Sequence, residues 1–101
     1  MARVTIALCT DVPPDEVRGY EIDGKSITVC NLAGKYHAMA GLCPHRGGPL
    51  GDGFLDGDLV TCPWHGWQFN VTTGENPLLP AAKVTPLVVT IDGDALSVEL
   101  D

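Results

Sequence analysis

Short hydrophobic segments alternate with polar residues along this chain, and glycine or proline separates most of them. From Ala95 to Leu100, large apolar side chains occupy every second position, which is the period of a strand with one buried face. The longest stretch without glycine or proline, residues 1–12, is rich in valine, threonine and isoleucine, so helices have little room. The pattern predicts strands near residues 4–8, 18–22, 26–32, 36–40, 59–61, 68–70, 84–91 and 95–100.

Turn dipeptides lie between several of these segments. Asp23-Gly24, Ala33-Gly34 and Asp92-Gly93 each occur where a hairpin loop would join two neighbouring strands. Short strands joined by tight turns indicate an all-β fold, either an antiparallel sandwich or a small barrel. The chain has no internal repeat and no linker, so we expect a single domain over residues 1–101.

The charge of the chain is strongly negative, since 13 acidic side chains oppose 6 basic ones and give a net charge of −7. Such a charge argues against nucleic acid and anionic membranes as partners, and it permits docking on a basic protein surface. An equally good explanation is that the net charge only keeps a small protein soluble. No run of about 18 apolar residues occurs, and the first residues lack the pattern of a signal peptide. We therefore expect a cytoplasmic monomer without a membrane span.

Two cysteine–histidine pairs carry the candidate chemistry. The first pair is Cys43 and His45, the second is Cys62 and His65, and residues 46–61 lie between them. Together they offer two thiolates and two imidazoles. This set suits a two-iron, two-sulfur cluster in which two histidines replace two cysteines on one iron. It also suits a tetrahedral zinc ion, so the ligand types alone leave both possibilities open.

Glycine and proline are concentrated around both pairs. The sulfides of a cluster accept hydrogen bonds from backbone N–H groups, and glycine lets the main chain approach them closely, whereas a zinc site needs less of this. Both pairs fall between predicted strands. We therefore expect two loops at one end of a rigid sheet to bring the four ligands together.

The remaining candidate residues have simpler interpretations. Cys9 and Cys30 lie in apolar segments, where cysteine behaves as a small hydrophobic residue, and we expect no disulfide between them. His37 follows a tyrosine in a predicted strand and is expected to be an ordinary strand residue. Three acidic side chains lie between the two pairs: Asp52, Asp56 and Asp58. They either form the rim of a docking surface or belong to turns, and the Asp-Gly dipeptide at 56–57 favours turns.

The two pairs and their neighbours resemble the motifs of the Rieske iron–sulfur proteins. The resemblance rests on the segments CPHRG at 43–47 and CPWHGW at 62–67, on their spacing, and on later residues that extend it over essentially the whole chain. Those residues are Pro49, Leu50, Gly51, Gly53, Phe69, Gly74 and the segment 77–80.

The resemblance implies one [2Fe–2S] cluster in a cluster-binding subdomain formed by two loops. It implies that Cys43 and Cys62 hold an inner iron, while His45 and His65 hold an outer iron near solvent. It further implies that a third loop, residues 77–80, leans over the cluster.

Departures from the family pattern indicate which kind of Rieske protein this is. Quinol-oxidising members carry an additional cysteine in each motif and form a disulfide, whereas this chain has Gly48 and Trp64 there. They also carry a serine and a tyrosine whose hydroxyls donate to cluster sulfurs, whereas this chain has Trp67 and Phe69. Because such hydrogen bonds raise the potential, we expect a value near the low end of the Rieske range, about −150 mV.

The same resemblance limits the function. A Rieske oxygenase needs a separate mononuclear iron, and only His37 remains as a histidine after the cluster is built. No Gly-x-Gly-x-x-Gly fingerprint of a dinucleotide-binding reductase is present. We therefore expect a ferredoxin that carries single electrons from a flavin-containing reductase to a terminal, aromatic-ring-hydroxylating oxygenase. The alternatives are the small subunit of an assimilatory nitrite reductase and a zinc-stabilised interaction module without redox activity.

Overall fold

Ten β-strands and two short 3₁₀ helices form the regular structure of the described part of the chain. The computed structural model describes residues 2–22, 24–40, 50–64, 66–78 and 83–100. The 3₁₀ helices are Cys9–Asp11 and Leu50–Asp52. In these ranges no helix has the length and apolar character needed to cross a membrane. The strands are β1 Ala2–Leu8, β2 Val17–Ile22, β3 Lys25–Leu32, β4 Lys35–Ala40, β5 Phe54–Asp56, β6 Leu59–Thr61, β7 Gln68–Asn70, β8 Pro86–Leu87, β9 Val89–Asp92 and β10 Ala95–Leu100.

The strands form three sheets in which every pairing is antiparallel. A four-stranded sheet has the order β2-β3-β4-β8, and two three-stranded sheets have the orders β1-β10-β9 and β5-β6-β7. The predicted all-β, antiparallel fold class is therefore confirmed.

The four-stranded sheet is the central layer of the molecule. Residues 27–31 of β3 are all buried, which requires both faces of this strand to be covered. On one face, Ile27 and Val29 pack with Leu96 and Val98 of β10. On the opposite face, Cys30 belongs to a second core cluster that the sheet β5-β6-β7 completes. The sheet that bears the second ligand pair is thus packed directly on the centre of the fold.

Tight turns join consecutive strands where the dipeptides predict them. The β3–β4 hairpin turns at Ala33 and Gly34, which have φ values of 52° and 94°. Positive φ at both central residues is the geometry whose twist matches a two-residue hairpin. In the β9–β10 turn Gly93 has positive φ, at 61°. Gly24 has φ of 76° between β2 and β3, while its predicted companion Asp23 lies outside the described residues.

Two features of the strand pattern differ from the prediction. The single strand predicted over residues 84–91 is wrong, because β8 pairs with β4 and β9 pairs with β10, in different sheets. The chain changes sheet at Val88, whose carbonyl still accepts a hydrogen bond from the Glu99 N–H. Strand β5 was not predicted, since its three residues lie between two glycines and are too few to show a period.

Candidate metal centre

The chain segments that carry the two predicted ligand pairs both connect to strands at the same end of the sheet β5-β6-β7. Phe54 begins β5 and is paired with Thr61, which ends β6 and is paired in turn with Gln68 at the start of β7. Cys62 directly follows Thr61, and the segment that carries the first pair leads into β5 through the 3₁₀ helix Leu50–Asp52. Of the four predicted ligands, the structure describes Cys62, while Cys43, His45 and His65 lie outside the described residues.

The Cys62 thiol is buried at the base of the loop between β6 and β7. Its residue is 1% exposed and belongs to the core cluster that includes Val60 and Phe69. Its backbone N–H donates a 2.7 Å hydrogen bond to the carbonyl of Trp67. The loop is thus closed at its base and rooted in the apolar core.

The tip of this loop is open to solvent. Trp64 is 49% exposed, and Gly66, which has φ of 72°, is exposed as well. Only glycine adopts such a φ without steric cost, so Gly66 is suited to turning the chain back toward β7. The residues on both sides of His65 in the sequence are therefore at the surface.

Two aromatic residues, Trp67 and Phe69, lie in or against the core cluster that contains Cys62. Phe69 is completely buried in the same core cluster, and Trp67 is partly buried against it. The two rings are tilted by 37° with centroids 6.4 Å apart. The described surroundings of the Cys62 thiol are therefore apolar, as expected around a cluster ligand whose access to water is limited.

Two glycines near the ligand pairs have neighbours that the sequence did not indicate. Gly51 and Gly53 belong to the motif resemblance, and both touch protein backbone: Gly51 approaches Gly19 of β2, and Gly53 approaches Thr61 of β6. Sequence reasoning missed these contacts because they join residues far apart in the chain. The one available signal was the glycine in the middle of β2, since glycine inside a strand often marks a close backbone approach.

His37 and Cys30 lie opposite each other in the central sheet, on β4 and β3. The Cys30 thiol donates to the His37 carbonyl over 3.7 Å, and burial raises the pKa of this thiol to about 12. Burial is also the main cause that lowers the pKa of His37 below its ordinary value, with a smaller contribution from Lys35. Cys9 and Cys30 are free thiols, in accord with the expected lack of a disulfide between them.

The third loop begins at a close contact between Gly74 and Val84. The Val84 N–H donates to the Gly74 carbonyl over 2.9 Å. Glu75 and Lys83 pair through their backbones as an isolated antiparallel β-bridge. Within the loop Leu78 is 88% exposed. Residues 79–82 lie outside the described part of the chain, so the expected position of this loop over the cluster stays a prediction.

The acidic side chains between the ligand pairs lie at two different ends of the sheet β5-β6-β7. Asp56 and Asp58 flank Gly57 in the β5–β6 turn, at the end away from Cys62. Asp56 accepts a 3.2 Å hydrogen bond from Gln68, and Asp58 accepts a 3.3 Å hydrogen bond from the Asn70 side chain. These contacts favour the interpretation of both as turn residues, whereas Asp52 is exposed at the ligand end.

No three histidine, cysteine, aspartate or glutamate side chains in the described ranges are grouped so as to hold a metal ion. What these ranges contribute is one buried thiol in an apolar surrounding, at the base of a loop with an exposed tip. Thiolate is the ligand that an iron–sulfur cluster requires, and the site around Cys62 fits this role.

Comparison with known proteins identifies the family. Residues 2–91 match the model of the Rieske [2Fe-2S] domain. The chain is 34% identical over 102 residues to the ferredoxin component of biphenyl 2,3-dioxygenase from Rhodococcus jostii strain RHA1, covering 100% of this chain and 95% of that one. Among solved structures, the ferredoxin of carbazole 1,9a-dioxygenase from Nocardioides aromaticivorans IC177 has the same fold, with a TM-score of 0.88, 24% identity and 100% coverage of both chains.

A second solved structure is a complex of reduced oxygenase and oxidised ferredoxin in carbazole 1,9a-dioxygenase. One of its chains matches with a TM-score of 0.86 and 25% identity, covering 98% of this chain and 97% of that chain. Because the family model and a relative of nearly equal length both match almost the whole chain, this protein belongs to the Rieske [2Fe–2S] family, and its cofactor is one [2Fe–2S] cluster rather than a zinc ion.

Proposed function

We propose that this protein is a one-electron carrier that accepts electrons from a flavin-containing reductase and delivers them to a terminal oxygenase of the aromatic-ring-hydroxylating type. The observation that carries the proposal is the alignment, along the whole chain, with the ferredoxin component of a dioxygenase system. A matched chain from an oxygenase–ferredoxin complex supports the same partner. In this role the protein has no catalytic residues of its own.

The ligand set belongs to the proposal. Cys43 and Cys62 would hold the inner iron, and His45 and His65 would hold the outer iron. When bound, a cluster with this ligand set gains and loses one electron at a potential above that of a four-cysteine cluster. The burial of Cys62 supports its place on the inner iron. The exposed residues on both sides of His65 support a place for that residue toward solvent, where a partner docks.

We further propose that the potential is low for the family. Reduction adds negative charge, so donors to the sulfurs would favour the reduced state. Trp67 and Phe69 have no hydroxyl to donate, and both lie in the core cluster around Cys62 or against it. A low potential suits an electron donor to an oxygenase better than a protein that oxidises quinols.

His37 is assigned no ligand role. It is half-buried in the central sheet, paired with Cys30 across β4 and β3. With this residue excluded, the chain has no histidine left for a mononuclear iron, which supports a carrier rather than an oxygenase. The proposal includes a single domain over residues 1–101 that acts as a monomer in the cytoplasm.

Reconstitution of oxygenase turnover tests the proposed function. Purified protein is mixed with a flavin-containing ferredoxin reductase and a terminal oxygenase of the biphenyl dioxygenase type, and product formation is measured. We expect turnover to require this protein and to be lost with the Cys62→Ala variant, while His37→Ala supports turnover like the wild type. Failure to support any such oxygenase, together with co-purification with a sirohaem protein, would favour the nitrite reductase alternative.

A further inference from the structure

The 3₁₀ helix Leu50–Asp52 lies backbone against backbone on the central sheet. A methyl carbon added at Gly51 would overlap the Cα atom of Gly19 and lie 2.7 Å from its nitrogen. In the reverse direction, a methyl carbon at Gly19 would lie 3.1 Å from the Cα atom of Gly51. Both neighbours are main-chain atoms of a packed strand and a short helix, so neither can move aside cheaply. This approach therefore leaves no room for a side chain at Gly51 and little room for one at Gly19.

A second contact of the same kind follows two residues later. A methyl carbon at Gly53 would overlap the carbonyl oxygen of Thr61 and lie 3.0 Å from its carbonyl carbon. The Gly53 N–H donates to the Leu50 carbonyl over 3.0 Å, which holds the segment in a compact turn. Leu50 itself is fully buried, in the same core cluster as Cys62.

These contacts connect the two ligand pairs through the protein backbone. Residues 50–53 directly follow the segment that carries Cys43 and His45, and Thr61 directly precedes Cys62. Gly51 fixes residues 50–52 against β2, and Gly53 lies against Thr61, the residue before Cys62. The described residues that follow the first pair in sequence are therefore packed on β2 at Gly51 and on the residue before Cys62 at Gly53.

We propose that Gly19, Gly51 and Gly53, together termed the glycine link, are positioning residues that set the separation of the two ligand pairs and thereby the properties of the cluster. This inference rests on the ligand set of the proposed function. Residues that orient metal ligands tune the metal as the ligands themselves do, and sites of this kind tolerate displacements of only about 0.5 Å. A side chain at Gly51 displaces main chain by more than that, whereas one at Gly19 requires a shift of a few tenths of an ångström.

The test compares three alanine variants of the isolated protein, loaded with its cluster and without any partner. Gly51→Ala and Gly19→Ala alter the link. Gly57→Ala is the matched control, because Gly57 lies in the β5–β6 turn with φ of 63° and has no atom near an added methyl group. It is therefore destabilised by backbone strain alone. Measurements are the melting temperature, the electron paramagnetic resonance spectrum, the reduction potential and the rate of iron loss to a chelator.

We expect all three variants to melt at lower temperature than the wild type. The resonance spectrum and the potential should shift, and iron loss should accelerate several-fold, in Gly51→Ala and to a smaller extent in Gly19→Ala. Gly57→Ala should keep the wild-type spectrum and potential. If Gly51→Ala does not fold, Gly19→Ala decides the question, because its shift of a few tenths of an ångström is small enough for folding and close to the limit of about 0.5 Å.

Wild-type spectrum and potential in a folded link variant would overturn the inference, since the glycines would then serve stability alone. An equal spectral shift in Gly57→Ala would overturn it as well, because general destabilisation would then suffice. Neither result bears on electron transfer to an oxygenase. Conversely, a wild-type protein that fails to support an oxygenase but has the expected cluster would leave this test intact.

Discussion

The backbone N–H of Cys62 donates a 2.7 Å hydrogen bond to the carbonyl oxygen of Trp67. This bond closes the loop that carries both predicted ligands of the second pair. It connects the start of the loop to Trp67, which occupies the position where quinol-oxidising Rieske proteins have a serine. The Trp67 ring then packs on Phe69, which is buried with Cys62. The described surroundings of Cys62, the predicted ligand of the inner iron, are thus apolar. Residues 67 and 69 provide no hydroxyl group.

Restoring hydroxyl groups at these positions should raise the potential. In the double variant Trp67→Ser with Phe69→Tyr, each new hydroxyl that reaches a cluster sulfur bonds more strongly after reduction. A hydrogen bond to a charged acceptor contributes about 1.5–3 kcal/mol. About 1.4 kcal/mol corresponds to about 59 mV for one electron, so each well-placed hydroxyl should raise the potential by at most about 65–130 mV.

Protein-film voltammetry or a redox titration measures this change. The control is Trp67→Ala with Phe69 retained, which removes nearly the same bulk at residue 67 and adds no hydroxyl. A potential that stays level or falls in the hydroxyl variant, with the cluster assembled, would show that the missing hydroxyl groups are not the cause of a low potential.

The cluster and its ligands make a second prediction. Aerobically purified protein should be red-brown, contain about two irons and two sulfides per chain, and give an electron paramagnetic resonance signal after reduction by one electron. Cys43→Ala and Cys62→Ala should lose the cluster and destabilise the fold, because metal binding favours the folded state. His45→Cys and His65→Cys should lower the potential wherever a cluster still assembles, since thiolate is anionic and imidazole is neutral.

His37→Ala serves as the control for these ligand variants and should keep the visible spectrum. A shifted or missing cluster in this variant would show that the ligands were wrongly assigned. Equimolar zinc without iron in the purified protein would refute the cluster itself.

The acidic residues allow a prediction about docking. Added salt should slow association with the oxygenase, because salt screens the attraction between an acidic surface and a basic rim. Asp52→Asn, at the ligand end of the sheet β5-β6-β7, should weaken this salt dependence. The double variant Asp56→Asn with Asp58→Asn should leave it nearly unchanged, although it removes more charge, because both residues lie in the turn at the opposite end.

Stopped-flow electron transfer at several ionic strengths provides the measurement. A rate that does not respond to salt would indicate an apolar docking surface. Equal effects of the two variants per charge removed would indicate that net charge alone matters.

The two cysteines outside the ligand pairs should differ in reactivity. Burial raises the pKa of the Cys30 thiol to about 12, and the thiolate is the reactive form. At pH 8 Cys30 should therefore stay protonated and shielded, while the half-buried Cys9 reacts first with a thiol reagent. In a titration with Ellman's reagent, Cys9→Ser should remove the early reaction and Cys30→Ser should not; the reverse result would contradict the structural assignment.

The order of the strands along the chain was largely readable from the sequence because its signals are local. The alternation in the last strand marks the face on which Leu96 and Val98 pack into the core, and Ala33-Gly34 occurs where the hairpin twist requires positive φ. The two cysteine–histidine pairs were equally visible, because ligand type, order and spacing are themselves sequence properties. These features established the fold class and the family resemblance without any knowledge of long-range contacts.

Only the tertiary structure decided how these elements meet. Residues 84–91 divide between two sheets because β8 pairs with β4 and β9 pairs with β10. The hydrophobic pattern of the segment gives no sign of this change of sheet. The apolar surroundings of Cys62 arise from side chains on several strands. The contact of Gly51 with Gly19 joins residues 32 positions apart. A glycine shows in the sequence that close approach is possible, but the packing of sheets determines which backbone approaches it.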